Sequence, residues 1–183
     1  MRNVLSGILV VLTIGLLIDL ECGGHAAALT APARPAHSTV LIPVEGVQPS
    51  QLKSTFNEGR AGHIHHAIDI LAPRGTPVLA AVDGTVRKLF SSRAGGITLY
   101  EYDRAGERSY YYAHLDGYAP GIREGLDVHR GDVIGYVGTT GNAPESTPHL
   151  HFAIEILPPS KEWWKGEPID PYPILTTPVS ALP

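Results

Sequence analysis

Three short stretches of this sequence gather imidazoles beside carboxylates or phenols. They are His63-Ile64-His65-His66-Ala67-Ile68-Asp69, Tyr110-Tyr111-Tyr112-Ala113-His114 and His149-Leu150-His151. The chain has nine histidines, and six of them fall in these stretches. Imidazole binds metals and exchanges protons near neutral pH, so such clustering points to chemistry rather than packing. His149–Ile156 reads as a strand, in which alternate side chains face opposite sides. Leu150, Phe152, Ile154 and Ile156 then form an apolar core face, and His149, His151, Ala153 and Glu155 share the other. Residues two apart on a strand are about 6.6 Å apart at Cα, so one of these imidazoles can bind a metal while the other faces the metal's open position.

In the first stretch Ile68 and Ile70 look inward, which leaves His65, Ala67 and Asp69 on the opposite face. A straight strand would separate His65 from Asp69 by about 13 Å, so both reach one ion only if the chain bends between them. His65, Asp69 and His151 would then supply three ligands. Two histidines and a carboxylate with one position left open suit a catalytic zinc, at which the pKa of water falls toward 7. In the tyrosine-rich stretch, alternation places Tyr110, Tyr112 and His114 on one face. A histidine on a strand beside the metal strand can move a proton or hold an anionic tetrahedral intermediate.

Ordinary roles suffice for the rest. His25, His37, His63 and His129 read as surface or packing residues, and His66 as pointing away from the metal. Tyr112 either lines a groove or is simply a good strand former. Trp163 and Trp164 read as packing residues. Asp83-Gly84 and Gly138–Gly141 are turns rather than phosphate cradles, because no helix follows them.

The elements that must position these residues are short strands. From Leu52 onward, apolar runs alternate with Gly and Pro turns, and no helical period is sustained, so an all-β, antiparallel domain is expected over residues 52–175. Val78–Val82 and Thr85–Phe90 around Asp83-Gly84 read as a hairpin, as do Ile97–Tyr102 and Ser109–Leu115. Val133–Val137 is a further strand. Residues 29–51 read as an extended linker, with a first strand near Thr39–Val44, and 176–183 as a C-terminal tail.

Residues 1–28 read as a signal peptide or signal anchor: Arg2, an apolar run over Val4–Ile18, then Ala26-Ala27-Ala28. An exported protein is therefore expected, periplasmic or on the outer face of the cytoplasmic membrane, with membrane contact only through an uncleaved N-terminal segment. Asp19 and Glu21 argue against lipid attachment at Cys22, the sole cysteine, so metal ligands in the domain are not thiolates and no disulfide forms within the chain. A net charge of -4 gives no basic footprint for nucleic acid.

Seven segments, in this order, resemble lysostaphin-type zinc endopeptidases. They are His65–Ile70, Ala72–Val78, Asp83–Val86, Tyr112–Leu115, Gly131–Gly135, Gly138–Gly141 and His149–Phe152. The resemblance runs from about Leu52 to Leu175. It implies a compact β-sheet domain of the duplicated hybrid motif type, with a groove along one face and one zinc ion per chain. It implies His65, Asp69 and His151 as zinc ligands, His114 and His149 as the catalytic pair, and the peptide cross-links of bacterial peptidoglycan as substrate. The one departure is Ala67, where the family usually has glycine. The rival expectation is a non-catalytic wall-binding or hydrolase-regulating module of the same fold. Inactive relatives of that kind commonly lack some of the five site residues, whereas all five are filled here. The segments Ser91–Gly96 and Asn142–Thr147 are expected to form groove loops.

Overall fold

The computed structural model describes residues 40–60 and 62–177. The N-terminal segment 1–28 and residues 29–39, with 178–183 of the tail, lie outside the described residues. Eleven strands follow in chain order: β1 (Gly59–Arg60), β2 (His63–Ile64), β3 (Ile68–Leu71), β4 (Pro77–Leu79), β5 (Gly84–Ser92), β6 (Gly96–Asp103), β7 (Arg108–Tyr118), β8 (Asp127–Val128), β9 (Val133–Val137), β10 (His149–Ile156) and β11 (Glu167–Ile169). A single helical turn and a half, α1 (Pro171–Thr176), closes the domain. Six residues are too few to show a helical period in sequence. It is set locally, by Pro171 at its first position and by the Asp170 carboxylate accepting from the Tyr172 amide at 2.9 Å.

All pairings are antiparallel. One sheet runs β11-β10-β7-β6-β5-β8, with β3 on β10 and β9 on both β7 and β4. β10 is its hub: β7 occupies one edge, while β3 and β11 share the other, β3 against His149–Phe152 and β11 against Ile154–Ile156. The inner face of these strands is apolar. Ile68, Ile70, Tyr110, Tyr112, Leu150, Phe152 and Ile154 are all fully buried there, each aliphatic side chain being worth about 1.5–3 kcal/mol in burial. Ile156 departs from the expected core face. It is 46 % exposed, because the strand has reached the edge of the packed layer.

Two expectations need correction. The apolar run after Val78 does not return as a hairpin through Asp83-Gly84. β4 pairs with β9, and β5 pairs with β6 and β8. The intervening backbone is used elsewhere: the Ala81 carbonyl accepts from Leu41, the Ala80 amide donates to Asp132 and the Ala80 carbonyl accepts from Gly131. The segment read as linker is also packed from Val40 onward. Val40, Val44 and Leu52 belong to the core, and Val44 bridges to Val78. The second expected hairpin forms as β6 and β7.

Candidate functional site

His149 and His151 stand on β10 opposite Leu71 and Asp69 of β3, so strand register alone sets His151 beside Asp69. The Nδ1 of His151 lies 3.2 Å from Asp69 Oδ1. His65 reaches the same point although it precedes β3. The bend the spacing requires is made at His66, whose φ is 54°, and not at Ala67. Ala67 is buried, and its backbone needs no glycine, so the departure from the usual glycine leaves the bend intact. His65 Nε2 thereby comes 3.0 Å from both Asp69 Oδ1 and His151 Nδ1. His66 turns away and packs on the Phe56 ring.

Ligand atoms about 2.0 Å from a tetrahedral zinc lie roughly 3.3 Å from one another. The three atoms here, 3.0–3.2 Å apart, fit that spacing, and two imidazoles with one carboxylate are a zinc-type donor set. Burial opposes ionisation of Asp69, but hydrogen bonds and charge from His151 and His65 outweigh it and hold the carboxyl well below the usual carboxylate range. Burial lowers the His151 pKa, against the pull of Asp69, which favours the neutral, metal-binding form.

Tautomers are set by backbone carbonyls, which can only accept. His65 Nδ1 donates to Thr55 O at 3.0 Å, which leaves Nε2 free for a metal. Arg60 Nη2 also approaches His65 Nδ1, at 3.3 Å, but a nitrogen that already donates to Thr55 cannot accept from Arg60, so the carbonyl contact sets the tautomer. In the same way His149 Nδ1 donates to Thr147 O and His114 Nδ1 to Thr140 O, both at 2.9 Å, so in each ring Nε2 is the nitrogen not engaged by a carbonyl. The two rings lie 5.0 Å apart, and that of His114 is 5.6 Å from the His151 ring. Burial pushes the His114 pKa down to about 4, with the Thr140 carbonyl opposing, so the imidazole is neutral at physiological pH.

His114 does not share a face with Tyr110 and Tyr112. Those two tyrosines are buried in the core, against Phe152. The β6–β7 register slips between Ile97 and Leu99, and His114 has a φ of 60°, so Ala113 and His114 both serve the site face. Tyr111, not Tyr112, lines the groove and sets its edge on His151 at 5.9 Å between centroids.

These groups line a groove of about 500 Å³, walled by Arg60 and His63 on one side and by Ala94, Gly95 and Asn142–Pro144 on the other. Both expected loops therefore contribute. They lock together where Asn142 N donates to Ala94 O and Ile97 N to Thr140 Oγ1. Gly96 and Gly141 permit this approach: both have positive φ, and a Cβ on either would fall 2.2–2.3 Å from the other loop. His63, given a surface role above, sits at the groove edge. Thr55, Arg60, Tyr111, Thr140 and Thr147 escaped the sequence reading. Most act through backbone carbonyls or a bulge, which leave no residue-type pattern to find.

An L-Ala–D-Glu endopeptidase of Bacillus subtilis is 36 % identical over 131 residues, which cover 67 % of this chain and 39 % of that protein. A DD-carboxypeptidase/endopeptidase of Neisseria meningitidis is 37 % identical over 117 residues, covering 63 % of this chain and 24 % of that protein. The matched stretch thus spans well under half of either relative. The catalytic domain of lysostaphin from Staphylococcus simulans superposes with a TM-score of 0.57 at 27 % identity, over 70 % of this chain and 96 % of that domain. The family model described as Peptidase family M23 matches residues 63–171. The chain belongs to peptidase family M23, the family of the lysostaphin-type peptidoglycan endopeptidases.

Proposed function

We propose that this protein is an exported, zinc-dependent endopeptidase that hydrolyses peptide cross-links of bacterial peptidoglycan. The observation that carries the reading is the meeting of His65 Nε2, Asp69 Oδ1 and His151 Nδ1 within 3.0–3.2 Å, at a point flanked by two further imidazoles. The M23 family is zinc-dependent, and these three residues would hold the ion. Zinc in such a site polarises an amide carbonyl and lowers the pKa of water toward 7.

The remaining work falls to this chain's own side chains. His114 and His149 each anchor Nδ1 on a backbone carbonyl, which orients the ring and leaves Nε2 for the reaction. One accepts the proton of the attacking water. The imidazolium so formed donates Nε2–H to the tetrahedral oxyanion or to the departing amine nitrogen. The buried, weakly basic His114 gives such a proton up readily. Residues 94–95 and 142–144 wall the groove and hold an extended peptide across the pair. Export and a periplasmic or outer-face location rest on the N-terminal sequence pattern of residues 1–28.

The test is zinc content and hydrolysis measured together. The purified protein is assayed for bound metal, then incubated with isolated sacculi with and without a chelator. About one zinc per chain with chelator-sensitive peptide release is the expected result. Bound zinc without release would favour the wall-binding or regulatory module. A protein that takes up no zinc would sink the proposal.

A further inference from the structure

Among the described residues that line the groove, Arg60 is the sole permanent cation. It sits on β1, whose pairing with β2 makes a small hairpin at the groove edge. Its guanidinium is anchored on one nitrogen. Nη2 donates to Asp69 Oδ2 at 2.7 Å, the carboxylate oxygen turned away from the histidine cluster, and lies 3.2 Å from Glu58 Oε2. Nε and Nη1 make no hydrogen bond to the described residues, although the side chain is 38 % exposed. A guanidinium has five N–H donors in a rigid plane, and a fork held at one corner keeps the rest in fixed directions.

Such a group recognises a carboxylate. A cation bound at Asp69 would offset that residue's charge, and with Glu58 and Asp69 both on Nη2 the Nε and Nη1 donors stay available to a ligand. Among the described lining residues no other side chain carries a permanent positive charge with which to pair an anion. Wall peptides carry carboxylates that remain free unless amidated, and amidation changes charge with little change in shape. We propose that Arg60 is a specificity-determining residue: its outward N–H groups bind a free carboxylate on a residue flanking the scissile amide, so that the groove selects acidic over amidated peptides. This rests on the peptidase reading above and names a feature of its substrate.

The experiment uses the full chain loaded with zinc, and cross-linked peptide dimers released from sacculi. One portion of the dimers is amidated with carbodiimide and ammonia. Parent protein is expected to lose about tenfold or more in kcat/KM on amidation, the scale of a charge-assisted hydrogen bond. Arg60→Gln should lose a similar factor on the free dimers and treat the two portions alike, and Arg60→Lys should keep part of the preference. The same comparison is read as Kd on zinc-loaded His149→Ala protein, so the answer does not depend on turnover. A preference in Kd on that variant, alongside a parent that never hydrolyses, would uphold the anchor while removing the peptidase reading. Parent protein indifferent to amidation, or Arg60→Gln with the parent's preference, would overturn the anchor alone. Equal losses on both portions together with lost zinc in Arg60→Gln would instead make Arg60 a support for Asp69, and would also overturn it.

Discussion

β10 and the far half of β7 bring histidines to the same point by opposite means. On β10 the backbone is regular. Leu150, Phe152 and Ile154 are buried on one face, and the register with β3 sets His151 against Asp69. On β7 the alternation is broken. Tyr112 pairs with Leu99 and Leu115 with Ile97, so two residues of β7 oppose one of β6, and the extra residue is turned to the site at a φ of 60°. A regular strand writes its faces into its own sequence. A bulge depends on partners far along the chain: here Gly95, whose carbonyl accepts from the His114 amide, and Thr140.

The regular side should be the costlier to break. His151→Ala removes one of three ligands, so it should lose bound zinc and nearly all hydrolysis, while the apolar face of β10 keeps the fold. Metal analysis and circular dichroism on one sample check both statements. His114→Ala, on the bulged side, should retain zinc and lose about 10²–10⁴-fold in kcat, the usual cost of removing a proton-transfer group. If both variants lost zinc equally, the division into ligand and proton-transfer histidines would be wrong.

This contrast also marks what was legible in the sequence. The β10 pair and the apolar face behind it as far as Ile154 follow from period two, and the β6–β7 hairpin from two strand-like runs flanking residues 103–108. The His65–Asp69 spacing named two residues that the fold brings together, but the turn that unites them lies at His66, a residue with no left-handed preference as strong as glycine's. Tyr112 and Tyr111 exchanged roles because the slip that admits His114 lies beyond them, so counting back from the histidine lands on the wrong face. The Asp83-Gly84 turn misled for a related reason. Its preceding strand finds β9, far along the chain, and local turn chemistry cannot report a distant partner.

Thr140 offers a smaller test of the same contrast. Its hydroxyl donates to Leu115 O at 2.7 Å and accepts from Ile97 N at 2.9 Å, which pins both sides of the bulge. Thr140→Val keeps the shape and removes both bonds. It should cost about 1–3 kcal/mol of stability, read by chemical unfolding, because two partly buried backbone groups lose their partner. Zinc content should stay at the parent's level and kcat should fall about tenfold, since the site on β10 is untouched while His114 is less well held. A fall in zinc with no change in kcat per zinc would mean that the bulge supports the metal rather than the proton-transfer group.

The least effect on hydrolysis is expected on the core face of β7, where Tyr112 donates to Glu101 Oε2. Ala81 N contacts the same pair, at 2.9 Å from the Tyr112 hydroxyl and 3.3 Å from Glu101 Oε2. Glu101 Oε1 has no partner among the described residues. Burial raises the Glu101 pKa to about 8, against the Tyr112 and backbone hydrogen bonds that favour the anion. The unfolded chain titrates near the ordinary 4.5. Between these two values the folded protein keeps a proton that the unfolded chain releases, so this contribution is complete below about pH 4.5 and is lost as pH rises toward 8. Glu101→Gln is neutral throughout and lacks that slope. The parent's stability relative to the variant, measured by denaturant unfolding of metal-free protein at several pH values, should therefore fall as pH rises through this window. A constant gap would mean that Glu101 is ionised in the fold. It would also mean that the core face of β7 borders a charge held by fixed donors, while its site face presents the neutral His114.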